Sequence, residues 1–578
     1  MCDANYLRYA IILRAKPIKQ FIMKKFFEFI LIIIIPWIII FWIIFSFDSE
    51  RDRDYFSKEE IEVKHDSVPV DHSKFAILQK EFKTGPEVTE ACLSCHNGRG
   101  HEFTKTQHWN WHKKDPIPGK GVQDLGKKNV LNNFCIGVNS NEKLCSMCHA
   151  GYDYGDKDFD FSKEGNVDCL ICHDATKTYH KSNPCMGPNL PGSGAAGIDV
   201  DLSFVAQHVG SPKKNNCGSC HFTGGGGNNV KHGDLEMGLL NAGRDSHGPI
   251  DVHMGLGDDG QNMECVDCHK THEHQISGQL YSVSSSNENH ATCTQCHTDK
   301  PHTNKVLNDH FRSVACQTCH ISHYAKLYPT KIIWDWSTAT KLRDGKPILD
   351  EDQPGHTYTF DGVEYDDVEV KYDSRHGTAV YKKNVRPEYI WFNGTADHHL
   401  ITDKIADTSK ALIINPLFGS YEDNVHPGDP DYPSKIWPVK IMRGKQPFDA
   451  GNMTLVQPKL AGKVEGSHAL WVDFDWNASC KAGMEYMGLP YSGKYGFIET
   501  QTIWPLNHEV SSSKESLQCI DCHNNSDSRL KDLAGFYLPG RDQNPWVDYM
   551  GIAFILLIIV GVSIHALLRI TSNKKINN

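Results

Sequence analysis

The stretch DCLICHD, at Asp168–Asp174, contains the pattern Cys-x-x-Cys-His, and the chain carries eight copies of this pattern. The copies occupy residues 92–96, 145–149, 169–173, 217–221, 265–269, 293–297, 316–320 and 519–523. Cysteines at positions i and i+3 lie on one side of a helical turn, so both thiols can react with one flat molecule. The pattern predicts haem attached through two thioether bonds, with the histidine as an iron ligand.

Two other sites also use a Cys-x-x-Cys pair, namely zinc hairpins and thioredoxin-like dithiols. Neither requires a histidine directly after each pair, so eight repeats that all carry it favour haem. We therefore predict a c-type cytochrome with eight covalently bound haem c groups. The attachment residues are Cys92, Cys95, Cys145, Cys148, Cys169, Cys172, Cys217, Cys220, Cys265, Cys268, Cys293, Cys296, Cys316, Cys319, Cys519 and Cys522. The proximal iron ligands are His96, His149, His173, His221, His269, His297, His320 and His523.

Four of the 20 cysteines lie outside the motifs, at positions 2, 135, 185 and 480. Four cysteines are too few for a disulfide framework, although Cys185 and Cys480 could form one bridge in an oxidising compartment.

The N-terminal segment 29–47 is apolar except for Pro36 and Ser46, and it follows a basic stretch. Its length predicts a transmembrane signal anchor, with residues 1–28 in the cytoplasm. A cleaved signal peptide is the alternative, although no small-residue cleavage site follows.

A second apolar segment, 549–568, precedes a basic tail at 569–578, which we also place in the cytoplasm. The haem-bearing body then lies in the periplasm, at the bacterial cytoplasmic membrane. His565 lies inside this second span, where it could ligate a haem b, face a quinone, or be a neutral imidazole near the interface.

The predicted fold is mainly α with extensive irregular loops, a multihaem cytochrome c fold packed around eight haems, with one transmembrane helix at each end. Seven motifs crowd between Cys92 and His320, so the haems replace an independent hydrophobic core and stability depends on them. Apolar and polar residues partly alternate at 358–373, and this pattern predicts some β-hairpin structure. We divide the body into a linker (48–88), a region with haems 1–7 (89–325), a substrate-channel or structural region (326–515), and the haem 8 segment with its linker (516–546).

An iron held by two imidazoles transfers electrons, whereas catalysis needs an iron with a labile, missing or unusual ligand. The chain has 32 histidines, and the motifs use eight, which leaves 24 possible distal ligands. Our candidates are His108, His232, His253, His274 with His272 as its alternative, His302, His310 and His508.

The segment HFTGGGGNNVKHGDL, at 221–235, contains four consecutive glycines that let the backbone approach a flat macrocycle. Lys231 and His232 follow side by side, and neighbours in the chain cannot face the same iron. On its sequence context alone, Lys231 is typical of a surface lysine.

Several longer strings are similar to those of one family. They are NNFC at 132–135, CHAGY at 148–152, DCLICHD at 168–174, NNCGSCHF at 215–222 and VKHGDL at 230–235. On these strings the chain resembles the octahaem tetrathionate reductase family of c-type cytochromes, which is related to the multihaem hydroxylamine oxidoreductases and nitrite reductases. The resemblance implies that the second haem, at Cys145, Cys148 and His149, is the active one. It also implies that Lys231 is the distal ligand of this haem and that Cys135 lies close to it.

The resemblance makes Lys231, Cys135 and Asn228 the catalytic candidates. An amine binds iron only when it is deprotonated, so we expect burial to lower the pKa of Lys231, and the displaced ammonium could pair with an oxyanion. Cys135 is by default an inert buried thiol. Asn228 stands where the family has an acidic residue, which would change proton supply or anion affinity. Related enzymes can hold calcium near the active haem, and no signature here names its ligands.

The expected function is a membrane-anchored reductase that passes electrons through bis-histidine haems to a small oxyanion. Tetrathionate cleavage to thiosulfate and reduction of nitrite or hydroxylamine to ammonium both suit this layout. A quinol-linked membrane donor or a cytochrome b is the expected partner, and the oligomeric state stays open. The formal net charge of -11 argues against nucleic acid. The alternatives are a non-catalytic electron conduit and a hydroxylamine- or hydrazine-oxidising enzyme, which would need a cross-linked tyrosine.

Overall fold

The computed structural model of the chain describes residues 70–117, 119–131, 137–181, 196–197, 199–222, 227–278, 289–339, 353–425 and 433–572. The predicted N-terminal anchor, Cys135, Cys185 and most of the glycine run lie outside these residues. The described chain has two parts: a region of short helices that contains the first seven motifs, and a region built on a large sheet.

Short helices follow the motifs through the first region. They are α1 (Gly85–Cys95), α2 (Arg99–Phe103), α3 (Gln107–Asn110), α4 (Glu142–Cys145), α5 (Leu170–His173), α6 (Leu202–Gln207), α7 (Lys214–His221), α8 (Met237–Leu240), α9 (Cys265–Cys268), α10 (Lys305–His310) and α11 (Cys316–His320). Turns of 3₁₀ helix occupy His72–Lys74, Ala76–Leu78, Glu164–Asn166, Cys293–Gln295 and Trp336–Thr338. Helix α1 begins inside the segment that we predicted as a linker.

Side chains within the motifs cap several of these helices. Asp267 accepts a hydrogen bond from the backbone N–H of Glu264 at 2.7 Å, directly before α9. At the start of α1, Glu87 accepts from the backbone N–H of Lys83 at 2.7 Å, and Thr84 completes a capping box. Such caps satisfy the free N–H groups at a helix start, which is most valuable for helices of only one turn.

Three two-stranded hairpins interrupt the helices. They are β1 (His112–Ile117) with β2 (Gly121–Gly126), β3 (Arg244–Asp245) with β4 (Gly248–Pro249), and β5 (Thr271–His272) with β6 (Gln275–Ile276). His112 pairs with Gly126 at the end of the first hairpin that is farthest from its turn.

The second region is a nine-stranded sheet. Its strands are β7 (Thr330–Asp335), β8 (Gln353–Phe360), β9 (Val363–Asp373), β10 (Gly377–Lys382), β11 (Glu388–Phe392), β12 (Leu412–Ile413), β13 (Lys435–Asp449), β14 (Thr454–Leu455) and β15 (Tyr495–Pro505). The order is β12-β15-β13-β7-β10-β9-β8, with β11 and β14 also pairing with β13. Contacts are antiparallel except those of β12 with β15 and of β13 with β7.

The largest hydrophobic cluster packs against this sheet. Trp336, Met442, Leu455 and Trp504 in this cluster are at most 1% exposed. Helices α12 (Tyr421–Val425), α13 (Leu470–Asp473), α14 (Trp476–Met487) and α15 (Cys519–Cys522) complete the region. Cys480 is buried inside α14 within the same cluster. This region can therefore bury its own apolar side chains.

The last helix, α16 (Pro545–Ser572), contains the predicted C-terminal span. Its segment Pro545–Thr571 is long and apolar enough to cross a membrane, and within the described residues it is the one such helix. It carries His565.

The sheet is larger than the hairpins that we predicted, so a fold that is mainly α describes only the motif region. The reason is that strand β13 joins β7 and β15, which are far from it in the sequence. Alternation along one segment indicates a strand, but it does not reveal such distant partners.

Candidate functional site

A cavity of about 4400 Å³ runs through the motif region and reaches a few residues of the sheet strands, namely Trp391, Ile436 and Pro505. A pocket for one small molecule measures about 300–1,000 Å³. The cavity can therefore hold several large flat cofactors. Seven motif histidines line it, namely His96, His173, His221, His269, His297, His320 and His523.

Six of these histidines face a second imidazole across the cavity. The distances between ring centres are 6.3 Å for His96 with His72, 6.3 Å for His221 with His108, 6.2 Å for His269 with His508, 6.1 Å for His297 with His253, 6.1 Å for His320 with His302, and 6.3 Å for His523 with His310. Two metal–nitrogen bonds of about 2 Å, plus roughly 1 Å from each nitrogen to its ring centre, give about 6 Å. Each facing pair thus fits one iron.

Backbone carbonyl groups orient the motif histidines. The Nδ1 atom of His221 lies 2.6 Å from the carbonyl oxygen of Gly233, and that of His269 lies 2.8 Å from the oxygen of Ser277. A hydrogen bond at Nδ1 fixes the tautomer and leaves Nε2 free for a metal. Gly233 has a φ of 83°, and a Cβ there would lie 3.0 Å from the His221 ring. Glycine is therefore required at this carbonyl.

Two of the facing imidazoles are neutral at pH 7. Burial, together with the charges of nearby imidazoles, lowers the pKa of His108 and the pKa of His508 to about 4. Neutral imidazole is the form that binds metals. The donor chemistry of the facing pairs therefore also fits haem iron.

The third motif has a different second imidazole nearby. The Nδ1–H group of His274 donates a hydrogen bond to the Glu102 carboxylate at 3.0 Å, and both His274 and His173 line the cavity. Burial lowers the pKa of His173, and the charged form of His274 lowers it further, so the two rings are close enough to interact. His272, the alternative candidate to His274, lies in the exposed strand β5.

The second motif departs from this pattern. The Nε2 atom of His149 lies 2.7 Å from the carbonyl oxygen of Trp109, and its buried Nδ1 has no hydrogen-bond partner. The ring packs among aromatic side chains, with centre distances of 4.4 Å to Tyr154 and 5.0 Å to Trp111. Among the described motif histidines, His149 is the one that does not line the cavity.

Lys231 lies on the cavity wall beside the second motif. Its backbone N–H donates to Asp234 at 2.9 Å, and its Nζ atom lies 4.0 Å from the same carboxylate. Burial disfavours the ammonium, but the charges of Asp234, Cys148 and Cys145 outweigh burial, so the pKa of Lys231 is raised. The expected lowering is therefore not found. Thioether formation removes the cysteine contributions, because a thioether does not ionise, and Asp234 then remains to oppose burial.

Asn228 is buried and lines the same cavity. Its side-chain N–H donates to Glu509, while its side-chain oxygen has no hydrogen-bond partner. Glu509 also accepts from the backbone N–H groups of Ala325 at 3.1 Å and Lys326 at 3.0 Å. A buried carboxyl from another segment thus lies next to the amide where the family was expected to place an acid.

Two histidines show the limits of the sequence-based candidates. His232 lines the cavity, but its ring lies beside Trp504, with centres 6.4 Å apart, and it is not in any of the six facing pairs. His72 faces His96 although it was not a candidate, because it precedes the first motif in the predicted linker. Its Nδ1 lies 2.9 Å from the carbonyl oxygen of Val70. Cys135 lies outside the described residues.

Thiol contacts join motifs that are separate in the sequence. Cys148 contacts Cys220, a hydrogen bond that lowers the pKa of Cys148 to about 6. The other contacts join Cys92 with Cys169, Cys217 with Cys265, and Cys293 with Cys316. Attachment points of the first and third, second and fourth, fourth and fifth, and sixth and seventh motifs are therefore adjacent.

The chain is similar to known cytochromes. The family described as bacterial cytochrome c matches residues 331–526. A solved structure, the octahaem cytochrome c from Shewanella oneidensis, is 39% identical with a TM-score of 0.65, and the match covers 78% of this chain and 94% of that chain. No curated protein sequence matches the chain. Identity at this level over nearly the whole Shewanella chain, together with the facing imidazoles, shows that this protein is a redox protein with covalently bound haem c and belongs to the family of multihaem c-type cytochromes that includes this octahaem cytochrome c.

Proposed function

We propose that the protein is a membrane-anchored octahaem reductase whose active site is at the second motif, where Lys231 takes the place of a distal histidine. The observation that carries this proposal is the cavity wall at Lys231. Six motif histidines face an imidazole, and His274 lies near the third motif. At the second motif, the side chain near the attachment residues Cys145 and Cys148 is instead that of Lys231.

The thiol contacts support a route for electrons to the second motif. The second motif touches the fourth through Cys148 and Cys220, and the fourth touches the fifth through Cys217 and Cys265. Haems attached at adjacent thiols would lie close together. Electrons could then reach the second motif from the fifth motif through the fourth.

The eighth motif is the proposed entry point. Cys519 is exposed, the next residue, Ile520, is 66% exposed, and His523 is half-buried. Helix α16 begins at Pro545, soon after this motif. A motif that is both partly exposed and close to an apolar helix suits electron delivery by a quinol-linked membrane partner or a cytochrome b.

Lys231 has two roles in the proposed reaction. As a neutral amine it would hold the sixth position of the second haem iron, and that iron would supply electrons to the substrate. On displacement the amine takes up a proton and becomes a cation near Asp234, and it then attracts an oxyanion. Tetrathionate would accept two electrons as its central sulfur–sulfur bond breaks to give two thiosulfates.

Nitrite and hydroxylamine are the second substrate class. Their reduction to ammonium consumes protons as well as electrons, whereas tetrathionate cleavage consumes none. The buried carboxyl of Glu509 accepts a hydrogen bond from Asn228 on the cavity wall. A carboxyl group at this place is a candidate proton donor, and this favours nitrite and hydroxylamine as the second substrate class.

Viologen-driven turnover of tetrathionate, nitrite and hydroxylamine tests the proposal. We expect Lys231→Leu to lower turnover at least about 100-fold, which is typical for loss of a group that acts at the reacting centre. The matched control is Lys481→Leu, because Lys481 is 64% exposed on α14. Equal rates for wild type and Lys231→Leu would reject the site. Electron paramagnetic resonance showing every iron held by two imidazoles would favour the electron conduit instead.

A further inference from the structure

A second lysine, Lys127, lies on the cavity wall at the proposed site. It directly follows β2, and its Nζ atom lies 5.3 Å from the centre of the Trp111 ring. Gly126, the preceding residue, pairs with His112, and a Cβ at Gly126 would lie 2.0 Å from the carbonyl oxygen of Trp111. This close approach of two backbone segments fixes where the Lys127 side chain leaves the hairpin.

Lys127 shares the cavity with the groups of the second motif. Lys127, Lys231, Cys148 and Asn228 all line it. Burial lowers the pKa of Lys127, and the charge of Lys231 lowers it further, while Cys148 opposes both effects. The two lysines therefore interact through the same space.

The charge of Lys127 is not balanced within the described part of the chain. The charge of Asp234 acts on Lys127 and opposes the lowering of its pKa, but this carboxylate is engaged by the backbone and side chain of Lys231. No carboxylate within the described residues forms a salt bridge with Lys127. A desolvated ammonium that has the Trp111 ring beside it but forms no salt bridge is costly, so its place on a cavity wall points to an anionic ligand.

We propose that Lys127 binds the negative charge of the substrate oxyanion and makes the site prefer anions to neutral molecules. The inference rests on the proposed function for the position of the substrate. It adds the residue that determines the class of substrate. A haem propionate is the other source of a negative charge, and the experiment separates the two sources.

The test uses the mature protein and its variants Lys127→Met and Lys127→Arg, with sodium nitrite and hydroxylamine as probes at neutral pH. Nitrite is an anion, whereas hydroxylamine is neutral. Dissociation constants come from haem absorbance and electron paramagnetic resonance titrations, and KM and kcat are measured separately. Lys128→Met is the matched control. Lys128 loses the same charge from the next position, but its Nζ lies 3.5 Å from the Phe161 ring and it does not line the cavity.

A charge-assisted hydrogen bond accounts for a change of about 10- to 100-fold in affinity. We therefore expect Lys127→Met to raise the nitrite dissociation constant and KM by this factor and to leave those of hydroxylamine nearly unchanged. Lys127→Arg should restore most of the nitrite affinity, which also shows that the hairpin folds. Lys128→Met should match wild type.

Four results would overturn the inference: an unchanged nitrite dissociation constant in Lys127→Met, an equal loss in Lys128→Met, an equal loss for hydroxylamine, or no nitrite binding by wild type. A shift in the resting haem potentials of Lys127→Met with unchanged nitrite affinity would assign Lys127 to a propionate. If wild type binds nitrite with the expected dependence on Lys127 but turns over no substrate, the proposed function fails while the anion site stands.

Discussion

Between Val70 and Ala325 the described helices are 4 to 11 residues long and surround a cavity, whereas between Thr330 and Pro505 long strands surround the largest hydrophobic cluster. Helices of one turn are not stable alone, because they fix many dihedral angles for few hydrogen bonds. Strand β13 has 15 residues and joins four other strands. The comparison indicates that the first region needs its haems to stay folded and that the second region supplies its own core.

The strongest way to break this comparison is to produce the chain without covalent haem attachment. We expect amide hydrogens of α1, α5 and α7 to exchange almost completely, while those of β13 and β15 stay protected, because only the former pack around the cofactors. Hydrogen exchange read by mass spectrometry, with the mature protein as the control, measures both regions at once. Protected motif helices in the haem-free chain would show that the first region folds by itself.

A core substitution tests whether the sheet region is stabilised by its own hydrophobic cluster. Trp336 is fully buried in the largest cluster and stacks on Trp334, with ring centres 4.9 Å apart. We expect Trp336→Ala to lower the free energy of unfolding by about 3–5 kcal/mol, as is usual for a buried tryptophan. Guanidinium unfolding followed by far-ultraviolet circular dichroism measures the change. Val464→Ala, at a 66% exposed position, is the control, and the haem spectrum should not change in either variant.

A smaller effect concerns pH. Lys331 is 5% exposed, its Nζ lies 3.1 Å from the centre of the Trp334 ring, and burial lowers its pKa to about 7. Between pH 7 and the unfolded value of 10.5 the unfolded chain binds more protons than the folded chain, so stability rises with pH. The slope contributed by one group is at most about 1.4 kcal/mol per pH unit.

Lys331→Met should remove this rise, whereas Lys410→Met, at an 81% exposed position, should keep it. Guanidinium midpoints at several pH values across this range provide the comparison. A rise that persists in Lys331→Met would place its origin elsewhere in the chain.

The sequence could name the attachment residues because Cys-x-x-Cys-His is a local pattern. It could not show which imidazole faces which, because partners such as His269 and His508 come from segments that are far apart in the sequence. His72 was missed for the same reason, since a single histidine in a polar stretch carries no local signal. The sheet was underestimated because strand pairing, like imidazole pairing, joins distant segments.

The environment of Lys231 shows another limit of the sequence. A lysine beside a histidine gives no information about Asp234, whose carboxylate opposes the effect of burial on the amine. Glu509 likewise reaches Asn228 from a segment far along the chain. Local strings can indicate a site, but the charges that set its chemistry come from the rest of the fold.

The facing pairs also constrain the order in which the protein can be assembled. His508 and His523 are synthesised late, yet His508 faces the fifth motif and His523 faces His310. A chain truncated before residue 508 would leave the cofactor at the fifth motif without its second imidazole, and it would lack the whole eighth motif, so that His310 would have no facing partner. The imidazole pairs at these haem sites can therefore form only after the last segment of the chain has been synthesised.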